Sequence, residues 1–135
     1  MSRALIEDLY ANVLSRTAAP ELVERMNARL APHWESIGDY SGATKTREQF
    51  GAQLRGFGAL IPDLTWKIEE LIDAGDRFIV RGRASGTPAG VFFGIEPRGN
   101  RFEIKSMDIH TVANGLIVRT YHVEDWAGAL RQLTA

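Results

Sequence analysis

The stretch from Arg101 to Trp126, RFEIKSMDIHTVANGLIVRTYHVEDW, decides the fold. It is two β-rich runs joined by Ala113-Asn114-Gly115, and it holds two of the three histidines. Successive side chains of a strand point to opposite faces, so Phe102, Ile104, Ser106, Asp108, His110 and Val112 share one face of the first run. Leu116, Val118, Thr120, His122 and Glu124 share a face of the second. The turn sets how the runs pair. A two-residue turn at Asn114-Gly115 would put Asp108 opposite Tyr121 and send His122 to the other face. A three-residue loop, with Gly115 left-handed in a G1 bulge, pairs Val112 with Leu116, Asp108 with Thr120 and Ser106 with His122. The second pairing is preferred. It gathers Phe102, Ile104, Val112, Leu116 and Val118 on one face and leaves Arg101, Glu103, Lys105 and Arg119 on the other. A one-residue slip would flip every side chain, so the register decides the site. Asp108, His110 and His122 then project from an otherwise apolar face, with Asp108 and His122 as diagonal neighbours, Cβ atoms about 5.5–8 Å apart. Chemistry is expected there.

Upstream, apolar residues at helical spacing from Arg3 to Arg16 (Leu5, Ile6, Leu9, Tyr10, Val13, Leu14) predict an amphipathic helix. Pro20-Glu21 suits the first turn of a second helix, with the stripe Leu22, Val23, Met26 and Leu30 and an end at Pro32. A polar loop is expected from His33 to Gly42, of a length that is often functional. Thr46 with Gln49 forms a capping box for a third helix bearing Phe50, Leu54, Phe57, Leu60 and Ile61. Gly51, Gly56 and Gly58 weaken that helix by about 1 kcal/mol each unless they admit a ligand or another backbone. Strands follow: Leu64 to Glu69, then a turn at Ala74-Gly75-Asp76, then Arg77 to Ala84. Ser85 to Gly99 reads as an irregular loop with a short strand at the mouth of the fold. After the hairpin, Asp125 caps a last helix, Trp126 to Leu133. Helices followed by antiparallel strands make an α+β fold, with a cavity between a curved sheet and the helices that cover it.

The 135 residues fit one domain, 1–135, with a real core. With 44% apolar and 24% charged residues the composition is that of an ordinary globular protein. A net charge of −1 with intermixed signs argues against a general nucleic-acid binder, and no nucleic-acid partner is expected. No cysteine is present, which excludes disulfides, thiolate nucleophiles and Cys-bound zinc. MSRALIEDLY carries charges within its apolar pattern and does not read as a signal peptide. No apolar run approaches the roughly 20 residues that span a bilayer, so no membrane association and a cytoplasmic location are expected.

The order of these elements has a resemblance, carried by PDL before the first long strand, RGRASGTPAGVFFGIEPRGNRFEI in the middle and DIHTVANGLIVRTYHVEDW near the end. From about Leu5 to Leu133 the chain resembles the SnoaL-like branch of the NTF2-like superfamily, which contains polyketide cyclases and ester cyclases. The resemblance implies a cone-shaped α+β barrel around an apolar pocket, usually a homodimer or homotetramer. It also implies an aspartate in the last strand that, with a nearby histidine, acts as acid and base in an intramolecular aldol closure without metal or organic cofactor. Here His122 stands where the family's aspartate is expected and Asp108 near its histidine, an exchange of the two partners. The fold also hosts isomerases, hydrolases, dehydratases and binding modules, so it does not fix the reaction.

His122 is the leading candidate general base, oriented by Asp108. A buried Asp108 carboxylate needs a partner, and Arg81 or Arg83 is the structural alternative. His110 lies on the same face nearer the hairpin end, a candidate catalytic group or a polar residue near the exposed tip. Asp108, His110 and His122 together supply ligand types for a non-haem iron site, but nothing else in the sequence supports a metal, and none is expected. His33 is a further catalytic candidate at the pocket mouth. Tyr10 could offer its hydroxyl to a substrate carbonyl, and Trp34, Phe50, Leu54, Phe57, Trp66, Phe93 and Trp126 are expected to wall a pocket for a hydrophobic small molecule. The function expected is proton abstraction next to a carbonyl, leading to cyclisation or isomerisation. A non-catalytic binding module and a water-activating hydrolase are the alternatives.

Overall fold

The computed structural model of the chain describes residues 2–135. Helix α1 (Ser2–Leu9) runs directly into a π-helical turn, Tyr10–Leu14. Helix α2 (Leu22–Asn27), strand β1 (Leu30–Ile37), the short strand β2 (Lys45–Thr46) and helix α3 (Arg47–Leu60) follow. Strands β3 (Thr65–Asp73), β4 (Arg77–Gly86), β5 (Phe102–Ala113) and β6 (Leu116–Glu124) come next, and α4 (Trp126–Leu133) closes the chain. The strands form one six-stranded sheet in the order β2-β1-β6-β5-β4-β3. Among the described residues only β1 and β6 pair in parallel. The architecture is α+β, as the element order in the sequence predicts.

The caps are where the residues place them. Thr46 Oγ1 accepts from Gln49 N at 3.1 Å and Gln49 Oε1 accepts from Thr46 N at 2.9 Å, the reciprocal pair that starts α3. Asp125 Oδ1 accepts from Gly128 N at 2.9 Å and starts α4. Alternation along β5 is complete from Phe102 to His110: the even-numbered residues are buried and the odd-numbered ones are exposed or half-buried. That inner face meets Ile6, Leu9, Tyr10 and Val13 from the first helical segment, and Leu54 from α3, to form the core. Burying a side chain such as Phe78, Phe102 or Ile104 contributes about 1.5–3 kcal/mol apiece. Among the described residues no helix is long and apolar enough to cross a membrane.

Three expectations are corrected. The second helix stops at Asn27 rather than at Pro32, and Leu30–Ile37 is a strand rather than the end of a helix and a polar loop. Trp34 and Ser36 of this strand point inward and are buried, whereas Pro32 and His33 are exposed. Pro32 is tolerated because it lies in the irregular stretch between the Leu30↔Ile117 and Glu35↔Arg119 pairs. The hairpin turn is the third. Asn114 (φ 54°) and Gly115 (φ 77°) are both left-handed, a two-residue turn closed by Ala113 opposite Leu116. The irregularity lies one step further on, where Val112 faces Ile117 but Thr111 faces Arg119. Val118 is the extra residue. This bulge restores His122 to the inner face and sets it directly opposite Asp108, not diagonal to it. Ile117, rather than Leu116 or Val118, is the β6 residue fully buried at the hairpin end.

The glycines of α3 also separate. A Cβ on Gly58 would stand 2.3 Å from the Thr17 carbonyl oxygen, so this glycine lets the helix cross the backbone at Thr17. Gly56 has nothing within 4 Å.

Candidate active site

A pocket opens between the helices and the inner face of the sheet, with about 570 Å³ of unfilled space including its mouth. Trp34, Phe50, Leu54, Phe57 and Trp66 wall it, with Leu9, Leu14 and Leu30 beside them. The polar groups concentrate on β5 and β6: Asp108 and His110 from one strand, Thr120, His122 and Glu124 from the other. This is the register at work, because Asp108 faces His122 and His110 faces Thr120 across the pair.

Each polar group has its own partner. Asp108 Oδ2 accepts a short hydrogen bond from the Tyr10 hydroxyl, delivered by the π-helical turn. The same hydroxyl lies 2.8 Å from His110 Nε2, and His110 Nδ1 lies 2.8 Å from Thr120 Oγ1. Thr120 Oγ1 accepts from Trp34 Nε1 at 3.1 Å. His122 Nδ1 is hydrogen-bonded to Glu124 Oε2, two residues along the same strand face. Its Nε2 edge turns toward Gly38 at the mouth, where a second, polar recess is lined by Ser36, Asp39, Thr44 and Lys45. Trp66 Nε1 donates to Ser106 Oγ at 3.1 Å, deeper in the wall.

Burial and neighbours push the titrating groups apart. Burial raises the Asp108 carboxyl to about 7; the Glu124 charge adds to this, and the Tyr10 hydrogen bond and His122 pull the other way. Burial pushes His110 down to about 3, with the charge of His122 as a second cause. His122 moves up from its ordinary value, first through its bond to Glu124, against the effect of burial, with the Glu124 and Asp108 charges adding. Tyr10 is raised well above the usual phenol range by burial and then by the Asp108 charge.

Several sequence-based expectations change here. The partner of His122 is Glu124 rather than Asp108, because alternation brings Glu124 back to the same face two residues on. Arg81 and Arg83 pair with Glu70, Glu69 and Glu103 on the outer face and do not approach Asp108. His110 is no tip residue: it is 2% exposed and both ring nitrogens are engaged. His33 is exposed on β1 and does not line the pocket, since Trp34 takes the inward position. Tyr10 is held behind Asp108, not on the pocket wall. Phe93, 60% exposed, and Trp126 lie outside the pocket wall. Trp126 stacks on Phe57 and packs against Phe92 and Phe102, supporting the wall from behind. Glu124 and Thr120 were legible on the β6 face as polar residues in register with His122; their partners were not.

For a cation, Asp108, His122 and Glu124 offer one ligand atom each, all within 4.8 Å of one another. His110 is not among them. In this structure Glu124 Oε2 is hydrogen-bonded to His122 Nδ1 and Asp108 Oδ2 to the Tyr10 hydroxyl.

The family model for SnoaL-like polyketide cyclases matches residues 4–133. The chain belongs to this family. No curated protein matches it. Among solved structures, IdmH from Streptomyces antibioticus, described as a candidate polyketide cyclase, superposes with a TM-score of 0.84 at 24% identity, covering 98% of each chain. A candidate SnoaL-like polyketide cyclase from Jannaschia sp. CCS1 gives 0.83 at 20% identity, over 98% of this chain and 91% of the other. A Catenulispora acidiphila protein with a ketosteroid isomerase-like fold, solved with trimethylamine, gives 0.75 at 16% identity, over 96% and 92% of the two chains. At these identities the family's fold is what the superpositions share.

Proposed function

We propose that this SnoaL-like protein is a cofactor-free acid–base enzyme acting on an apolar, carbonyl-bearing small molecule, and that Asp108 and His122 are its proton-transfer pair. The observation that carries this reading is their placement: directly opposite each other on adjacent strands, both on the pocket, each with a dedicated partner. Asp108 takes the proton next to the carbonyl. A carboxylate with a proton affinity near neutrality is matched to that task. His122, which its bond to Glu124 makes hold a proton more firmly, donates from Nε2 to the developing enolate oxygen. The roles are therefore reversed from those expected of the two residues in sequence, because Glu124 and not Asp108 orients the imidazole. The enolate carbon can then attack a second carbonyl of the same molecule, closing a ring, or be reprotonated elsewhere, giving an isomer. Trp34, Phe50, Leu54, Phe57 and Trp66 supply the apolar contacts that hold the substrate.

The test is deuterium exchange from D2O into 2-tetralone, an apolar ketone with acidic neighbouring protons, followed by NMR. Protein-catalysed exchange is expected, lowered by about 100-fold or more in Asp108→Asn and in His122→Gln. Equal rates in the variants would sink the assignment.

One observation favours a second reading. The Nε2 edge of His122 also borders the polar recess at the mouth, where a water could be activated for hydrolysis. Labelled oxygen from water appearing in product would select that chemistry over cyclisation.

The protein also forms a homodimer through the outer face of its sheet. Ile72, Ile79, Ile109 and Tyr121 stand in one row across β3, β4, β5 and β6, and Met107 pairs with Val123 in the next. All but Ile109 of these are exposed large apolar side chains, up to 64% for Val123. The ion pairs Arg81–Glu70, Arg83–Glu103 and Arg119–Glu35 bring both charge signs to the strands that carry them, as a self-complementary two-fold contact needs.

A further inference from the structure

The hydrogen bonds behind Asp108 form an unbranched chain of five side chains: Trp34, Thr120, His110, Tyr10 and Asp108. Their donors and acceptors can be counted. An ionised Asp108 only accepts, so the Tyr10 hydrogen goes to Oδ2. Tyr10 has no second hydrogen, so the 2.8 Å contact with His110 requires Nε2–H to donate to the phenol oxygen. A neutral imidazole with its proton on Nε2 has a bare Nδ1, which must accept, and Thr120 supplies the hydroxyl hydrogen at 2.8 Å. The Thr120 oxygen then accepts from the Trp34 indole, which can only donate. Every group is satisfied in this direction. Reversed at His110, the Thr120 oxygen would receive two hydrogens while its own had no acceptor among the described residues, a costly arrangement for a group only 6% exposed.

We propose that Trp34, Thr120 and His110 are positioning residues that act on Asp108 through Tyr10: the one-way chain keeps Oδ2 occupied as an acceptor, so that Oδ1 is the oxygen that exchanges a proton with the pocket. His110 is then a fixed Nε2–H donor and takes no part in proton transfer. Its neutral state over the working range agrees with its burial. Other charged or titrating groups facing Asp108 are His122 and Glu124 of β6, besides Tyr10 from the helix side; on β4 its neighbour is the apolar Val80.

This inference rests on the reading of Asp108 as the proton acceptor, but its test needs no turnover. In protein labelled with 15N and 13C, the ring nitrogens of His110 report its tautomer and the Asp108 carboxyl carbon reports its midpoint. The wild type is expected to hold His110 as neutral Nε2–H across neutral pH. Thr120→Val removes the hydrogen that fixes this tautomer. A fraction of Nδ1–H imidazole then appears, its bare Nε2 competes with Asp108 for the Tyr10 hydrogen, and the Asp108 midpoint moves up by about half a unit to one unit. Thr120→Ser, which keeps the hydroxyl, is expected to restore both signals. Trp34→Phe removes only the indole donor and is expected to shift both in the same direction as Thr120→Val, so an unfolded valine variant does not shield the proposal. Nδ1–H imidazole in the wild type would overturn it, as would an unchanged tautomer and midpoint in the folded variants. An Nε2–H His110 in a protein without exchange activity would leave the chain standing and remove the proposed function.

Discussion

Two histidines of one hairpin are driven in opposite directions, His110 down by burial and His122 up by its bond to Glu124. His110, almost fully enclosed and engaged on both nitrogens with neutral hydroxyls, is kept uncharged; His122, half-buried beside Glu124, holds its proton more firmly. Asp108, between them, bears a burial cost that its Tyr10 bond only partly offsets. That cost is a statement about stability. The folded carboxyl titrates near 7 while an unfolded aspartate titrates near its ordinary value, so folding favours the protonated form. The stabilising effect of that proton is complete below the unfolded value and is lost as pH rises through about 7. Asp108→Asn, whose amide oxygen can still accept from Tyr10, removes this dependence. It is expected to raise the unfolding free energy at pH 8 by up to about 4 kcal/mol, with the gain disappearing toward pH 4. Denaturant titrations of both proteins at the two pH values check it, and equal stability at pH 8 would contradict the burial cost.

At the level of elements, alternation along Phe102–His110 fixes which residues face the pocket, and the capping pairs Thr46/Gln49 and Asp125/Gly128 fix where two helices start; both were legible in the residues. Strand β1 was not. Its Pro32 and the helical spacing of Leu22, Met26 and Leu30 imitate a helix end, and pairing with β6 and β2, distant in sequence, makes Leu30–Ile37 extended. The bulge at Val118 was equally hidden, because an inserted residue in a β-branched run leaves no local signal; yet it alone brings His122 onto the face of Asp108. The bond from Tyr10 to Asp108 joins residues 98 positions apart and depends on packing of the first helical segment on the sheet. The glycines of α3 give a test at this scale. Gly58→Ala is expected to cost about 2 kcal/mol or more, since its Cβ would meet the Thr17 backbone. Gly56→Ala, on the same helix with open space around it, is expected to add about 0.5–1 kcal/mol. Thermal unfolding of the two variants reads the difference, and equal shifts would refute the close crossing.

For the molecule as a whole, one face of the sheet lines the pocket, and the other, with its rows of exposed apolar side chains, is the face proposed for association. Val123→Glu places a charge beside Met107 in the second outer apolar row and is expected to convert a dimer to a monomer in sedimentation or light scattering, while leaving the hairpin register intact. A wild-type monomer at concentrations of tens of micromolar would contradict the outer-face dimer. On the inner face Asp108 and His122 are the proposed acid–base pair, and the pH dependence of deuterium exchange into 2-tetralone tests them. The rate is expected to rise with pH through about 7, as Asp108 becomes the carboxylate that accepts the proton, and to fall at higher pH as His122 loses the proton it donates. Asp108→Asn is expected to abolish the rising limb together with most of the rate. A catalysed rate that is flat across this range, or one that keeps its rising limb in Asp108→Asn, would contradict the account.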